Sequence, residues 1–122
     1  MEQHNHGQDV LDGLKPHTRS LRERIPDVYA GFAQMHKASM APGDLDTKTK
    51  ELIALAIGIS KQCDGCIASH ARGLVRAGGT AQEAAEAIGV AILMNGGPAT
   101  VYGPRAMAAV EEFLEKAERS LS

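Results

Sequence analysis

The sequence predicts an all-α protein folded as a single domain, and three observations carry that prediction. Apolar residues recur at steps of three and four along most of the chain, the spacing that places them on one face of a helix. No segment alternates apolar and polar residues as a half-buried strand would. Helix breakers divide the chain at Ala41-Pro42-Gly43, Gly78-Gly79 and Gly96-Gly97-Pro98, and 122 residues is an ordinary length for one domain. About five helices result.

Residues 1–16 are polar and lack periodicity, which reads as a flexible N-terminal arm ahead of a helical domain at 17–122. The arm's His4-x-His6 pair reads as solvent-exposed rather than metal-binding. From His17 to Met40 the chain reads as helical. Pro26 suits a helical first turn, and Val28, Phe32 and Met35, with Ile25 just before them, share one face. Arg19, Arg22 and Arg24 read as a solvated face rather than an anion patch.

Asp44 or Asp46 caps the next helix, because a short carboxylate there accepts a bond from a free backbone N–H at the positive end of the helix dipole. This helix runs from about Thr47 to Lys61. Its apolar residues Leu52, Ile53, Leu55, Ala56, Ile57 and Ile59 wrap most of the circumference and predict a largely buried element. Glu51 lies on the face of Leu55 and Gly58, so it is either exposed in the first turn or held inward for a purpose. Gln62 to Gly65 makes a turn, and another helix continues to about Ala77, where Gly78-Gly79 stops it.

Thr80-Ala-Gln-Glu83 is a capping box that opens a helix over 81–95. Ala84, Ile88, Ala91 and Ile92 form one face there, and Ala85, Val90 and Leu93 widen it, predicting cover on two sides. The last segment, Pro98 to Ser120, should be helical and kinked or divided at Gly103-Pro104, because proline removes a backbone donor and crowds the preceding turn.

The apolar content of 43% comes mainly from Ala, Ile, Leu, Val and Met, with Tyr29, Phe32, Tyr102 and Phe113 as the only aromatics. A core of such small side chains needs close backbone approach or a partner chain. A formal charge of −2 and four scattered aromatics argue against nucleic acid as a partner. No apolar run approaches the roughly 20 residues of a membrane span, and the N-terminus lacks the pattern of a signal peptide, so the expectation is a cytoplasmic protein without a membrane partner. In a reducing compartment a lone Cys-x-x-Cys is more often redox-active or metal-binding than a structural disulfide.

That motif lies in the stretch Glu51–His70. On a helix, Cys63, Cys66 and His70 fall at i, i+3 and i+7, one stripe. The cysteines sit near the helix N-terminus, where the thiolate is favoured, and their spacing permits a disulfide in the first turn. His70 follows Cys66 by four residues, within reach as a base directly or through one water. A metal site would draw on Cys63, Cys66, His70 and Glu51. A rise of about 1.5 Å per residue separates Cys63 from His70 by roughly 10 Å along the axis, awkward for ligands of one ion, so no metal is expected. A c-type haem is excluded because Ile67 follows Cys66. No glycine pattern for nucleotide binding is present, so no cofactor is expected and electrons would come from a separate dithiol donor. These residues leave open which cysteine attacks: Cys66 is nearer His70, whereas Cys63 is nearer the helix tip and expected to be the more exposed.

The ordered set Glu51, Cys63-x-x-Cys66 and His70 resembles the signature of the AhpD-like alkylhydroperoxidases of the carboxymuconolactone decarboxylase superfamily. The resemblance covers roughly Pro26 to Phe113 and includes the opening Lys48-x-Lys50-Glu51-Leu-Ile-Ala-Leu-Ala, Ala77-Gly78 before a Thr-capped helix, and Gly96-Gly97-Pro98. It implies an AhpD-like all-helical domain with a central antiparallel hairpin, assembled as a homotrimer or homohexamer. It also implies reduction of an organic hydroperoxide or hydrogen peroxide, with Cys66 attacking the peroxide, Cys63 resolving the sulfenic acid, and Glu51 and His70 relaying the proton. Family members carry a second histidine inside the Cys-x-x-Cys. This chain has Asp64 and Gly65, one relay member fewer. Two other functions fit the sequence: a redox sensor or oligomeric scaffold without catalysis, and a carboxymuconolactone-type decarboxylase, whose chemistry needs no thiols.

Overall fold

The computed structural model describes residues 5–121, and within them the protein is all-helical. Its elements are α1 (Gln8–Arg24), α2 (Pro26–Met40), α3 (Thr47–Ser60), α4 (Asp64–Arg76), α5 (Ala81–Asn95) and α6 (Gly97–Leu121). The sixth helix arises because the predicted His17–Met40 helix is two. A residue preceding proline is pushed out of the α region, and Ile25, at φ −133° and ψ 58°, breaks the chain between Arg24 and Pro26, which then opens α2.

Two further expectations are corrected. The first helix starts at Gln8 rather than His17. Tertiary contact accounts for the difference: the Gln8 N–H donates to Glu112 Oε2 at 3.0 Å, Gly7 packs against Glu112 and Phe113, and Leu11 joins the core. His4, of the His4-x-His6 pair, lies outside the described residues. The last helix is not divided at Gly103-Pro104, the second of the two arrangements expected there, but runs from Gly97 to Leu121 with Pro104 inside it.

The core lies among α3, α4, α5 and α6. Leu55 and Ile59 from α3 meet Ile67 and Leu74 from α4, Ile88 from α5, and Val110 and Phe113 from α6. Seven of the fourteen buried apolar residues described are alanines, so the backbones approach closely, as the composition required. α1 lies against α4, and α2 buries none of its residues.

Burial of α3 and α5 is narrower than their sequences predict. Leu55 and Ile59 are buried while Ile53 and Ile57 are about half exposed; Ala84, Ile88 and Ala91 are buried while Val90 and Leu93 face outward. One chain supplies cover for only one side of each helix.

The central hairpin is antiparallel. Glu51, early in α3, meets His70 and Gly73 late in α4, whereas Gly58, late in α3, lies against Cys66 and Ile67 early in α4. Asp46 is the cap that opens α3, accepting the Thr49 N–H at 2.8 Å. Gln62 turns the chain with a left-handed φ of 53°, and the Cys63 N–H closes back on the Gly58 carbonyl at 3.1 Å. The expected capping box at Thr80 and Glu83 is formed, and Lys48 reaches Glu83 at 2.8 Å to join the starts of α3 and α5.

Candidate redox site

Cys63 is the N-cap of α4. Its sulfur accepts the N–H of Cys66 at 3.2 Å, the position a serine or aspartate oxygen commonly takes. Negative charge on that sulfur would be stabilised by this donor and by the helix dipole together. Cys63 and Cys66 are joined in a disulfide, their Cα atoms 5.2 Å apart, which the first turn of a helix accommodates without moving the backbone. Exposure runs opposite to the expectation: Cys63 is half-buried, because its sulfur folds inward over the helix end, while Cys66 is exposed.

The alternative left open for Glu51 is resolved by its burial. Only 7% of the residue is accessible, and its Oε1 lies 2.6 Å from Nδ1 of His70. A buried carboxylate without a partner would be costly by several kcal/mol. The short bond to the imidazole supplies a charge-assisted partner. With Glu51 ionised, Nδ1 carries the proton, and Nε2 of a neutral His70 is left as a lone-pair base.

Gly73 makes this placement possible. A β-carbon there would stand 2.6 Å from Glu51 Cδ and overlap Oε2, so no other residue leaves room for the carboxylate against α4. In the sequence the signal for Gly73 is its place inside a helix, away from the ends, where a glycine marks close approach. No such signal marks His36 of α2, whose ring stacks on His70 with centroids 6.0 Å apart and planes inclined by 18°. Only tertiary structure brings residues 36 and 70 together.

His36, Glu51, Ser69, His70 and Gly73 line a pocket of about 310 Å³, with Arg72 and Arg76 at its edge. The arrangement joins a dithiol on a helix tip to a buried acid–imidazole pair on the same hairpin. Its chemical capacity is proton transfer at the imidazole and, separately, cycling of the sulfur pair between dithiol and disulfide. Among the described residues, no group of three or more His, Cys, Asp or Glu side chains is placed to hold a metal ion, and no helix is long and apolar enough to cross a membrane.

Comparison with known proteins gives a consistent picture. Residues 26–115 match a protein-family model described as the carboxymuconolactone decarboxylase family. A carboxymuconolactone decarboxylase family protein from Legionella pneumophila has a crystal structure that superposes with a TM-score of 0.81 at 39% identity, covering 84% of this chain and 92% of that one. A family member from Thermotoga maritima, described as a candidate participant in an antioxidative response, superposes with a TM-score of 0.69 at 32% identity, covering 75% and 94%. An uncharacterized protein of the cox locus in Paracoccus denitrificans is 40% identical over 82 residues, 67% of this chain and 74% of that protein.

Proposed function

The chain belongs to the carboxymuconolactone decarboxylase family, and from that premise we propose that it is a thiol-dependent hydroperoxide reductase. The observation that carries this reading is the presence, on one hairpin, of both the closed Cys63–Cys66 disulfide and the buried Glu51–His70 pair. The description of the Thermotoga maritima relative agrees with it.

In the reduced protein Nε2 of His70 takes the proton of Cys66, directly or through one water, and Glu51 holds the resulting imidazolium by its Nδ1 proton. The Cys66 thiolate attacks the terminal oxygen of the hydroperoxide. An S–O bond forms, the O–O bond breaks, and the departing alkoxide takes the proton from His70 to leave as an alcohol. Cys66 is now a sulfenic acid. The Cys63 sulfur, held over the helix N-terminus, attacks it; the S–S bond forms and hydroxide leaves with the Cys63 proton as water. A separate dithiol donor then reduces the disulfide by exchange and becomes oxidised itself. The exposure of Cys66 supports its assignment as the attacking sulfur, and the capped, half-buried position of Cys63 supports its role as the resolving one.

The working form is an assembly of identical chains, a homotrimer or homohexamer in the cytoplasm. The outward apolar faces of α2, α3 and α5, including Val28, Phe32, Ile57, Leu93 and Met94, support this part of the proposal.

Stopped-flow oxidation of the reduced protein by cumene hydroperoxide tests the reading. One disulfide per chain should form far faster than free thiol is oxidised. Cys66→Ser should abolish peroxide consumption, and Cys63→Ser should stop the reaction at a trappable sulfenic acid. Oxidation no faster than that of free cysteine would end the proposal.

A further inference from the structure

Beside the dithiol, α1, α2 and α4 line a second and larger open pocket of about 630 Å³. Its size is that of a small-molecule site. Leu11, Leu14 and Phe32 make an apolar wall, and Arg19, Arg22 and Arg72 stand around it with Lys15. No carboxylate lines it, although the chain as a whole carries a formal charge of −2. Lys15 is paired with Asp12 at 3.1 Å, whereas Arg19, Arg22 and Arg72 have no carboxylate partner among the described residues. The sequence reads Arg19 and Arg22 as a solvated face; the fold sets them around one concave apolar surface with Arg72, from a helix some fifty residues further along the chain.

We propose that this pocket binds an amphipathic carboxylate, a medium-chain acid whose tail lies on Leu11, Leu14 and Phe32 and whose carboxylate is held by Arg72 with Arg19 or Arg22. Guanidinium groups present a planar fork that matches a carboxylate in two parallel bonds. Cations gathered around a pocket with low-dielectric walls raise the local concentration of anions. A purely apolar ligand would leave the arginines unused, and a small inorganic anion would leave the wall bare.

The location gives the ligand a use. Gly65, inside the Cys-x-x-Cys, lines this pocket and lies under Leu14, where a β-carbon would sit 3.1 Å from Leu14 Cδ1. Ser69 and Arg72 line both this pocket and the one containing His70 and Glu51. A fatty-acid hydroperoxide bound here has its chain directed past the first turn of α4. The substrate class follows only if the dithiol reduces peroxides, as proposed above, while the carboxylate site itself does not depend on that reading.

The test is calorimetric titration of the oxidised full-length protein with dodecanoate, and with dodecanol as the uncharged comparison. Saturable binding of dodecanoate is expected, weakened about tenfold or more by Arg72→Gln, since a hydrogen bond to a charged group is being removed. Dodecanol should bind equally to both proteins. Arg22→Gln, at an exposed position, repeats the test should Arg72→Gln fail to fold. Absence of saturable binding, or equal binding of dodecanoate to the parent and both variants, overturns the proposal. So does dodecanoate binding that splits the assembly by light scattering, because the pocket would then belong to a neighbouring copy of the chain. A protein that binds dodecanoate but whose reduced thiols are not oxidised by peroxide would retain this site and lose the reductase reading.

Discussion

Substituting Gly73 by alanine isolates the packing constraint on which the acid–imidazole pair depends. The added methyl would overlap Glu51 Oε2 and stand 2.6 Å from its Cδ, so the carboxylate must turn away and lose its 2.6 Å bond to His70. A hydrogen bond to a charged group contributes about 1.5–3 kcal/mol. Alanine regains about 1 kcal/mol over glycine inside a helix. The net loss is about 1 kcal/mol, which for a chain of this length lowers Tm by about 3 to 5 °C. Gly13, also inside a helix, has nothing within 4 Å of its missing β-carbon, so Gly13→Ala should raise Tm. The same substitution thus has opposite signs at the two sites, read by differential scanning calorimetry. Thiol oxidation by peroxide should slow about a hundredfold or more in Gly73→Ala, the effect of losing a positioned acid–base group. Adding Glu51→Gln should slow it little further, because both changes remove one interaction. If Gly73→Ala stabilises the protein as Gly13→Ala does and leaves the rate unaltered, the close approach of Glu51 to α4 is not what holds the site.

Two other expectations concern stability and assembly. The Glu83 carboxyl is held below its ordinary value by the bond from Lys48 and the Thr80 backbone, and Asp46 is held down by its bonds from Thr49. A carboxylate depressed in the fold stabilises it above the unfolded value, and that contribution is lost as pH falls through the folded one. Denaturation midpoints in urea should therefore fall below about pH 4, with a shallower decline in Glu83→Gln. Lys48 is shifted upward by Glu83, so its share persists through neutral pH and disappears only on the far alkaline side. Leu93 is 80% exposed, and Leu93→Glu should reduce the mass measured by light scattering from that of an oligomer toward one chain; a monomeric parent protein would remove the assembly proposal.

What could be read in the chain divides according to the range of the interactions involved. Cys63, Cys66 and His70 form a legible stripe because a helix converts spacing directly into direction. The capping box at Thr80 and Glu83 and the stop at Gly78 are equally local, and the structure forms both. Glu51 was legible only as a choice between two positions, since the face it occupies follows from α3 whereas its burial depends on α4. Apolar periodicity misled where it was broadest: Ile53, Ile57, Val90 and Leu93 are exposed in the single chain, because hydrophobicity records every surface a helix is suited to cover, including those its own chain does not supply. The first half of α1, ahead of His17, escaped notice for the reverse reason, being held by Glu112 and Phe113 from the far end of the sequence. His36 and Arg72 likewise gain meaning only from neighbours brought by the fold.

Gly73 is the instructive intermediate case. Its cost of about 1 kcal/mol relative to alanine inside a helix has no local compensation, since no turn or cap requires glycine at that position in α4. A helix that accepts such a cost does so for a close neighbour, and the residue it admits is the buried carboxylate opposite. The acid and the glycine are thus two halves of one device, separated by twenty-odd residues. Its purpose becomes visible only when the carboxylate is seen to hold the His70 imidazole by a 2.6 Å bond, on the helix that also carries Cys66.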